Sequence, residues 1–311
     1  MTKNKKELDT LVEDIYAVIN DRGGWDAVVT QFFSDGMREL VERRLEDEEQ
    51  PRGANLRMSN MGSPCKRKLW YSIHAPNEGE SLPAAARLKF LYGDILENLL
   101  LALAIAAGHD VRGMQDELEI AGIRGHRDCV IDGTTVDIKS ASPMSFQKFK
   151  HGELGSNDPF GYLSQLSSYV WAGHQYDNTI HPTDGAFLVI DKVSGELCLD
   201  RWSFNFETMD KLAEFESTKE LINDITSVPD CAFEPEEDGY TDKQKNFRGN
   251  GNMYLGLNCS YCEFKKKCWP GLRTFMYKRG RGFGPKYFTH VRKTPNVMEV
   301  TDANTDRTSS N

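Results

Sequence analysis

Between Glu117 and Ser140 the apolar period of this chain changes from helical to alternating, and that change limits the folds open to it. Glu117–Ala121, Ile123–Ile131 and Thr134–Ser140 are expected as short strands, with Asp132–Gly133 as a hairpin turn. Helical spacing brackets this meander. Residues 4–48 place Leu8, Leu11, Val12, Ile15, Val18 and Ile19 at helical intervals, Gly23–Gly24 interrupts, and a second helix is expected from Trp25 to about Glu48. A further helical stretch spans Leu82–Ala107, with Gly93 as a candidate break and Gly108 as its C-cap. Helices at 143–151 and 159–173 follow, then strands at 184–191 and 196–203 about the turn Val193–Gly195, then a helix at 205–225. This order predicts a mixed α/β sandwich.

A length of 311 residues, 39% of them hydrophobic, suffices for a substantial core in one large domain or two small ones. The expected division is a helical segment at 1–50, a main domain at 51–293 and a polar, disordered tail at 294–311. The longest apolar run, Leu99–Ala107, is far short of a membrane span, so no membrane is expected as a partner. The N-terminus has charges but no apolar export region. Seven cysteines, an odd number, suit a reduced cytoplasmic setting with thiols free for metal better than a secreted disulfide framework.

The carboxylates of the meander carry the chemistry. Strand alternation puts Asp137 and Lys139 on one face, and the hairpin brings Asp128 alongside them. Two carboxylates converging beside a lysine in a core need compensation. A divalent cation supplies it, and oxygen donors suit magnesium or manganese. Glu97, set among Ile95, Leu96 and Leu99, lies near the buried side of its helix and is a third candidate. Gln165 and Tyr169 are four residues apart and share a helix face. Asp132 reads as a turn residue. Alone, an Asp-x-Lys triplet arises by chance and a Gln/Tyr pair is ordinary; the ordered combination is the signal.

Cys259, Cys262 and Cys268 are spaced Cys-x2-Cys-x5-Cys, three thiols able to wrap one metal centre and needing a fourth. Cys65, in a loop before the short amphipathic stretch Lys66–Ser72, is the best candidate. Cys231 is less favoured, and Cys129 and Cys198, on expected strands, read as small core residues. Four such cysteines can hold zinc.

The order of helix Glu, strand Asp, hairpin, Asp-x-Lys and Gln-x-x-x-Tyr helix resembles the RecB-type branch of the PD-(D/E)XK nucleases. On this resemblance Glu97 falls on the His/Glu ligand of a Gly-x-x-x-His/Glu pattern, Asp128 on the first Asp, Asp137 on the second acid and Lys139 on the Lys. Gln165 and Tyr169 fall on the Gln-x-x-x-Tyr motif. There are two departures: no Pro precedes Asp128, and Asp rather than Glu at 137 shortens that ligand by one methylene. The cysteine pattern is similar to that of AddB-type helicase–nucleases and CRISPR-associated exonucleases. It implies a structural [4Fe–4S] cluster on Cys65, Cys259, Cys262 and Cys268, with zinc as the alternative. The resemblance covers about residues 62–275.

It implies a restriction-endonuclease-like mixed β-sheet core flanked by helices, with an added N-terminal helical segment and an iron–sulfur clasp. It further implies a magnesium- or manganese-dependent deoxyribonuclease, with Glu97, Asp128, Asp137 and the Ile138 carbonyl as metal ligands. Lys139 would orient or help deprotonate the attacking water, or neutralise charge on the phosphate, and Gln165 and Tyr169 would position the strand. An exonuclease acting on DNA ends in recombination, repair or phage DNA processing is expected, in a bacterial or virus-infected cell. The alternative is a noncatalytic DNA-binding or assembly subunit of a helicase–nuclease or recombination complex. No Walker A sequence is present, so any ATP-driven unwinding would come from a helicase or recombination partner.

A net charge of −9 argues mildly against nonspecific nucleic-acid coating, but the charge is segregated. Phe264 to Lys293 holds ten Lys and Arg residues and no acid. Lys265, Lys266, Lys267, Arg273, Arg279 and Arg281 are candidate DNA contacts, interleaved with Trp269, Phe275, Tyr277, Phe283, Tyr287 and Phe288. That mixture suits single-stranded or frayed DNA, through phosphate contacts and base stacking. The alternative is that the aromatics pack on the core.

Overall fold

A computed structural model describes residues 6–21, 25–47, 55–279 and 282–300. The first elements are helices α1 (Leu11–Asn20), α2 (Ala27–Asp47), α3 (Met58–Met61), α4 (Lys66–His74) and α5 (Ala84–Ala106). Strands β1 (Val111–Arg112), β2 (Glu117–Ile120), β3 (Ile123–His126), β4 (Cys129–Ile131) and β5 (Thr134–Ala141) follow. Next come α6 (Pro143–Lys150), α7 (Tyr162–Tyr176), β6 (Asp184–Asp191), β7 (Leu197–Ser203) and α8 (Lys211–Asn223). The chain ends with β8 (Glu236–Thr241), β9 (Phe247–Tyr254), α9 (Leu257–Ser260), α10 (Lys265–Cys268), β10 (Arg273–Arg279), β11 (Gly282–His290) and β12 (Glu299–Val300). No helix among the described residues is long and apolar enough to cross a membrane.

Two compact units result: residues 1–63 with 82–223, and residues 64–81 with 224–311. The boundaries expected at 50 and 293 are not where the chain divides. Leu8, Leu11 and Ile15 explain the first difference. They are buried in one core with Leu100 and Leu103 of α5, Ile131 and Val136 of the sheet, and Leu188 of β6. The N-terminal helices are therefore part of the first unit. The Gly23–Gly24 interruption lies outside the described residues.

The first unit is mixed α/β. Its sheet runs β1-β4-β5-β6-β7, with β5 and β6 parallel and the other neighbours antiparallel. Alternation sorts the strands between two layers. Val136, Ile138, Ala186 and Leu188 pack with α1 and α5. Phe187 and Val189 pack with Phe146 and Phe149 of α6 and with Leu166 and Val170 of α7. Asp137, paired in register with Phe187, belongs to the α7 side. A separate hairpin, β2–β3, packs Leu118, Ile120 and Ile123 against Met58, Tyr169 and Phe215.

Several local expectations change. Helix α5 runs through Gly93 without a break. The strand expected over 123–131 divides between His126 and Cys129. Helix α8 starts at Lys211, where Asp210 Oδ1 accepts the Ala213 N–H at 2.9 Å and caps it.

The second unit carries a sheet that the apolar pattern does not announce, ordered β12-β10-β11-β9-β8. Phe275 and Phe288 are fully buried in it. Residues 294–300, expected to be disordered, include β12, whose Val300 pairs with Thr274. The rest of that tail lies outside the described residues.

Candidate active site

Strand β4 pairs with β5 only from Cys129, opposite Val136, so Asp128 stands just beyond the ladder. Asp128 Oδ2 accepts the Ile138 N–H at 2.7 Å. The carboxylate thus stands in for the missing strand acceptor, at the point where the chain passes from the β2–β3 hairpin to the β4–β5 ladder. The N–H and C=O of one strand residue point to the same edge, so the Ile138 carbonyl faces the Asp128 side. Asp137 is 2% exposed and pairs with the Lys139 ammonium. Its Oδ1 is buried without a hydrogen-bond partner.

Glu97, half-buried on α5, accepts a hydrogen bond at Oε1 from Gln115 Nε2 at 2.9 Å. Burial, then the nearby charges of Asp137 and Asp94, push its carboxyl up to about 7. Burial, then Asp137 and Glu97, hold Asp128 well above the ordinary carboxylate range. Burial alone would lower Lys139, but Asp137 and Asp128 more than offset it and the ammonium is held above its usual value. Tyr169 keeps its proton for a related reason, burial first and then the charges of Asp137 and Asp128, with Gln165 in hydrogen-bond reach. Gly125 leaves room for this phenol, since a Cβ there would lie 2.8 Å from its hydroxyl oxygen. Glu97, Asp128, Asp137, Lys139, Gln165 and Tyr169 therefore share one neighbourhood, with three carboxylates and one ammonium in a common field.

Oxygen donors with incomplete charge balance and one orphaned buried oxygen fit a hard divalent cation. As placed, no three His, Cys, Asp or Glu side chains among the described residues meet at coordinating distance. The acids share a field rather than a finished coordination shell. Two neighbours escaped the sequence reading. Gln115, at φ 56°, sits in a turn with no periodic signal. Tyr162, at the start of α7, has its ring 5.4 Å from Lys139 Nζ, and its only sequence mark is its place three residues before Gln165.

Cys65, Cys259, Cys262 and Cys268 all belong to the second unit. Burial and then Cys231 push the Cys259 thiol up to about 12, with Cys262 and Cys65 adding to the effect. Burial, then Cys262 and Cys231, raise Cys268 to about 11. Cys231, less favoured from sequence, in fact joins the group: its Sγ is 4.0 Å from Cys259 Sγ. Helix α4 holds it there, because Arg67 Nε donates to the Pro229 carbonyl at 2.6 Å and Trp70 Nε1 to the Asp224 carbonyl at 2.9 Å. Cys231 and Cys259 are adjacent and the other three thiols lie within electrostatic reach of them, a set that would suit a thiophilic centre, whose positive charge would draw off the protons that burial retains. Cys129 is a core residue of β4, fully buried, and Cys198 is half-buried on β7.

Five of the ten cations in the basic stretch are paired with acids of the same unit. Lys265 and Lys266 pair with Glu80, Lys267 with Glu78, and Lys286 with Asp238. The Arg273 guanidinium holds both Glu299 oxygens, at 2.7 and 2.8 Å. The Arg279 side chain and Arg281 lie outside the described residues. Phe275 and Phe288 are interior, as the core-packing alternative requires.

No protein-family model matches the sequence, and no curated protein matches it. The chain is similar to a solved structure titled "Crystal structure of SSO0001", at a TM-score of 0.39 and 15% identity, over 75% of this chain and 95% of that one. That likeness is too weak to bear on function.

Proposed function

We propose that this chain is a magnesium- or manganese-dependent deoxyribonuclease with a restriction-endonuclease-like core, hydrolysing phosphodiester bonds at DNA ends. The observation that carries the reading is the buried Asp137, paired with the half-buried Lys139 and with its Oδ1 orphaned, in one field with Asp128 and Glu97. Glu97, Asp128, Asp137 and the Ile138 carbonyl would hold the ion, which supplies a Lewis acid and a more acidic water. Lys139 stays protonated, so it is a poor base and a good donor. Its role is to bind a phosphate oxygen and balance charge growing there. Tyr169 also keeps its proton and donates, and Gln165 fixes its orientation. An intact acid–lysine set speaks for an enzyme over a noncatalytic assembly subunit. The Cys65, Cys259, Cys262 and Cys268 thiolates would hold a structural [4Fe–4S] cluster, or zinc, joining residues 64–81 to 224–311 within the second unit. A helicase or recombination protein is the partner such an end-processing enzyme would serve.

The test is digestion of 5′- and 3′-end-labelled single- and double-stranded DNA by wild type and Asp137→Asn, with magnesium, manganese or EDTA. Metal-dependent shortening by wild type, at least about a hundredfold slower in the variant, is expected. A wild type inactive on every substrate in both metals would refute the reading.

A further inference from the structure

The segment Asn157-Asp158-Pro159-Phe160-Gly161-Tyr162 leads into α7 beside the candidate active site. It is fixed at both ends of its turn. Asp158 accepts the Tyr162 N–H at 2.9 Å and the Leu163 N–H at 2.8 Å, capping the helix. Gly161 has φ 76°, and a Cβ there would lie 2.2 Å from the Gly62 carbonyl oxygen, so only glycine fits. The consequence is a rigid aromatic arrangement. Tyr162 packs inward on Phe149 and Phe187, with ring centroids 5.8 and 6.3 Å away. Phe160 is left 48% exposed, its ring 5.6 Å from that of Tyr162. Lys139 Nζ stands 5.4 Å from the centre of the same Tyr162 ring.

We propose that Phe160, backed by Tyr162, is a stacking platform for the unpaired terminal base of a single-stranded or frayed nucleic acid whose phosphate meets Lys139. This inference rests on the nuclease reading of the site and names the substrate end it accepts. A phenylalanine face held in water by a constrained turn gains most from a flat, uncharged partner, and nucleobases supply one regardless of sequence. In a blunt duplex the end base is already stacked and paired, so the platform distinguishes an unpaired end from a paired one. Of the second unit's aromatics, Phe275 and Phe288 are interior and offer no face for stacking.

The experiment uses the full chain in calcium, with single-stranded and blunt double-stranded oligonucleotides carrying 2-aminopurine at the terminal base. Wild type should quench the single-stranded probe. Phe160→Ala should lose the quenching and bind single strands about tenfold more weakly, which is about 1.4 kcal/mol for one stacked base, with duplex affinity unchanged. Phe160→Trp should retain both and shows that the turn tolerates substitution. Equal single-strand binding and quenching by wild type and Phe160→Ala overturns the platform, as does absence of binding by the wild type. Quenching by a wild type that cleaves nothing in magnesium or manganese upholds the platform and overturns the nuclease reading. Cleavage without quenching does the reverse.

Discussion

Asp128 Oδ2 accepts the Ile138 N–H at 2.7 Å, so one carboxylate both closes the β5 edge and stands in the candidate site. Asp128→Ala and Asp128→Asn both remove the charge, but only alanine also removes the acceptor. The alanine variant should be less stable than the asparagine variant by about 1–3 kcal/mol, the penalty for an unpaired buried N–H. Both should lose metal-dependent cleavage by at least about a hundredfold. Urea unfolding beside end-labelled digestion checks both halves.

Asp137 is buried and Lys139 half-buried, so their ion pair is largely removed from water and losing one partner should harm stability more than losing both. Lys139→Met should cost about 3 kcal/mol, and Asp137→Asn/Lys139→Met should recover most of that while remaining inactive. A four-protein unfolding cycle reads the coupling. An active double variant would remove both residues from the chemistry.

Asp200, on β7, is 7% exposed with Oδ2 unpartnered, and burial raises its carboxyl to about 6, with Trp202 only partly opposing. The folded protein thus binds this proton more tightly than the unfolded chain, whose reference value is 3.8. Its contribution to stability is fully present below about pH 4 and is lost as pH rises through about 6. Asp200→Asn should flatten that part of the profile and stabilise the protein at pH 8 by on the order of 2 kcal/mol. Unfolding curves at pH 4 to 8 measure it.

The proposed four-thiolate centre has five candidate thiols, since Cys231 lies beside Cys259. Cys65→Ala, Cys259→Ala, Cys262→Ala and Cys268→Ala should each lose iron and the brown absorbance. Their melting temperature should fall by on the order of 10 °C, because the proposed centre would close a long loop of chain. Cys231→Ala should keep both. The reverse pattern for Cys65 and Cys231, read by iron and sulfide assay of protein purified without oxygen, would exchange their roles.

The parts legible in the sequence were those with periodic burial. The meander around Asp132–Gly133 and helix α5 bury alternate or helical positions in one core, so their spacing marks them. The break at Asp128 left no such mark, because both halves read as strand although they pair in different sheets. The second sheet was hidden for another reason: β9 reads Phe-Arg-Gly-Asn-Gly-Asn-Met-Tyr, and only one of its residues, Asn252, is buried, so it carries no apolar alternation. The basic stretch suggested an open surface because Glu78, Glu80 and Glu299 are remote in sequence from the cations they meet. Cys231 was undervalued likewise, since only the Arg67 and Trp70 bonds bring its segment to the other thiols.

Manganese-soaked crystals test the central claim most directly, because the anomalous signal locates the ion without reference to activity. The account predicts a peak bounded by Glu97, Asp128, Asp137 and the Ile138 carbonyl, absent in crystals of Asp137→Asn. Fully occupied manganese elsewhere on the chain, with none among these four groups, would contradict it.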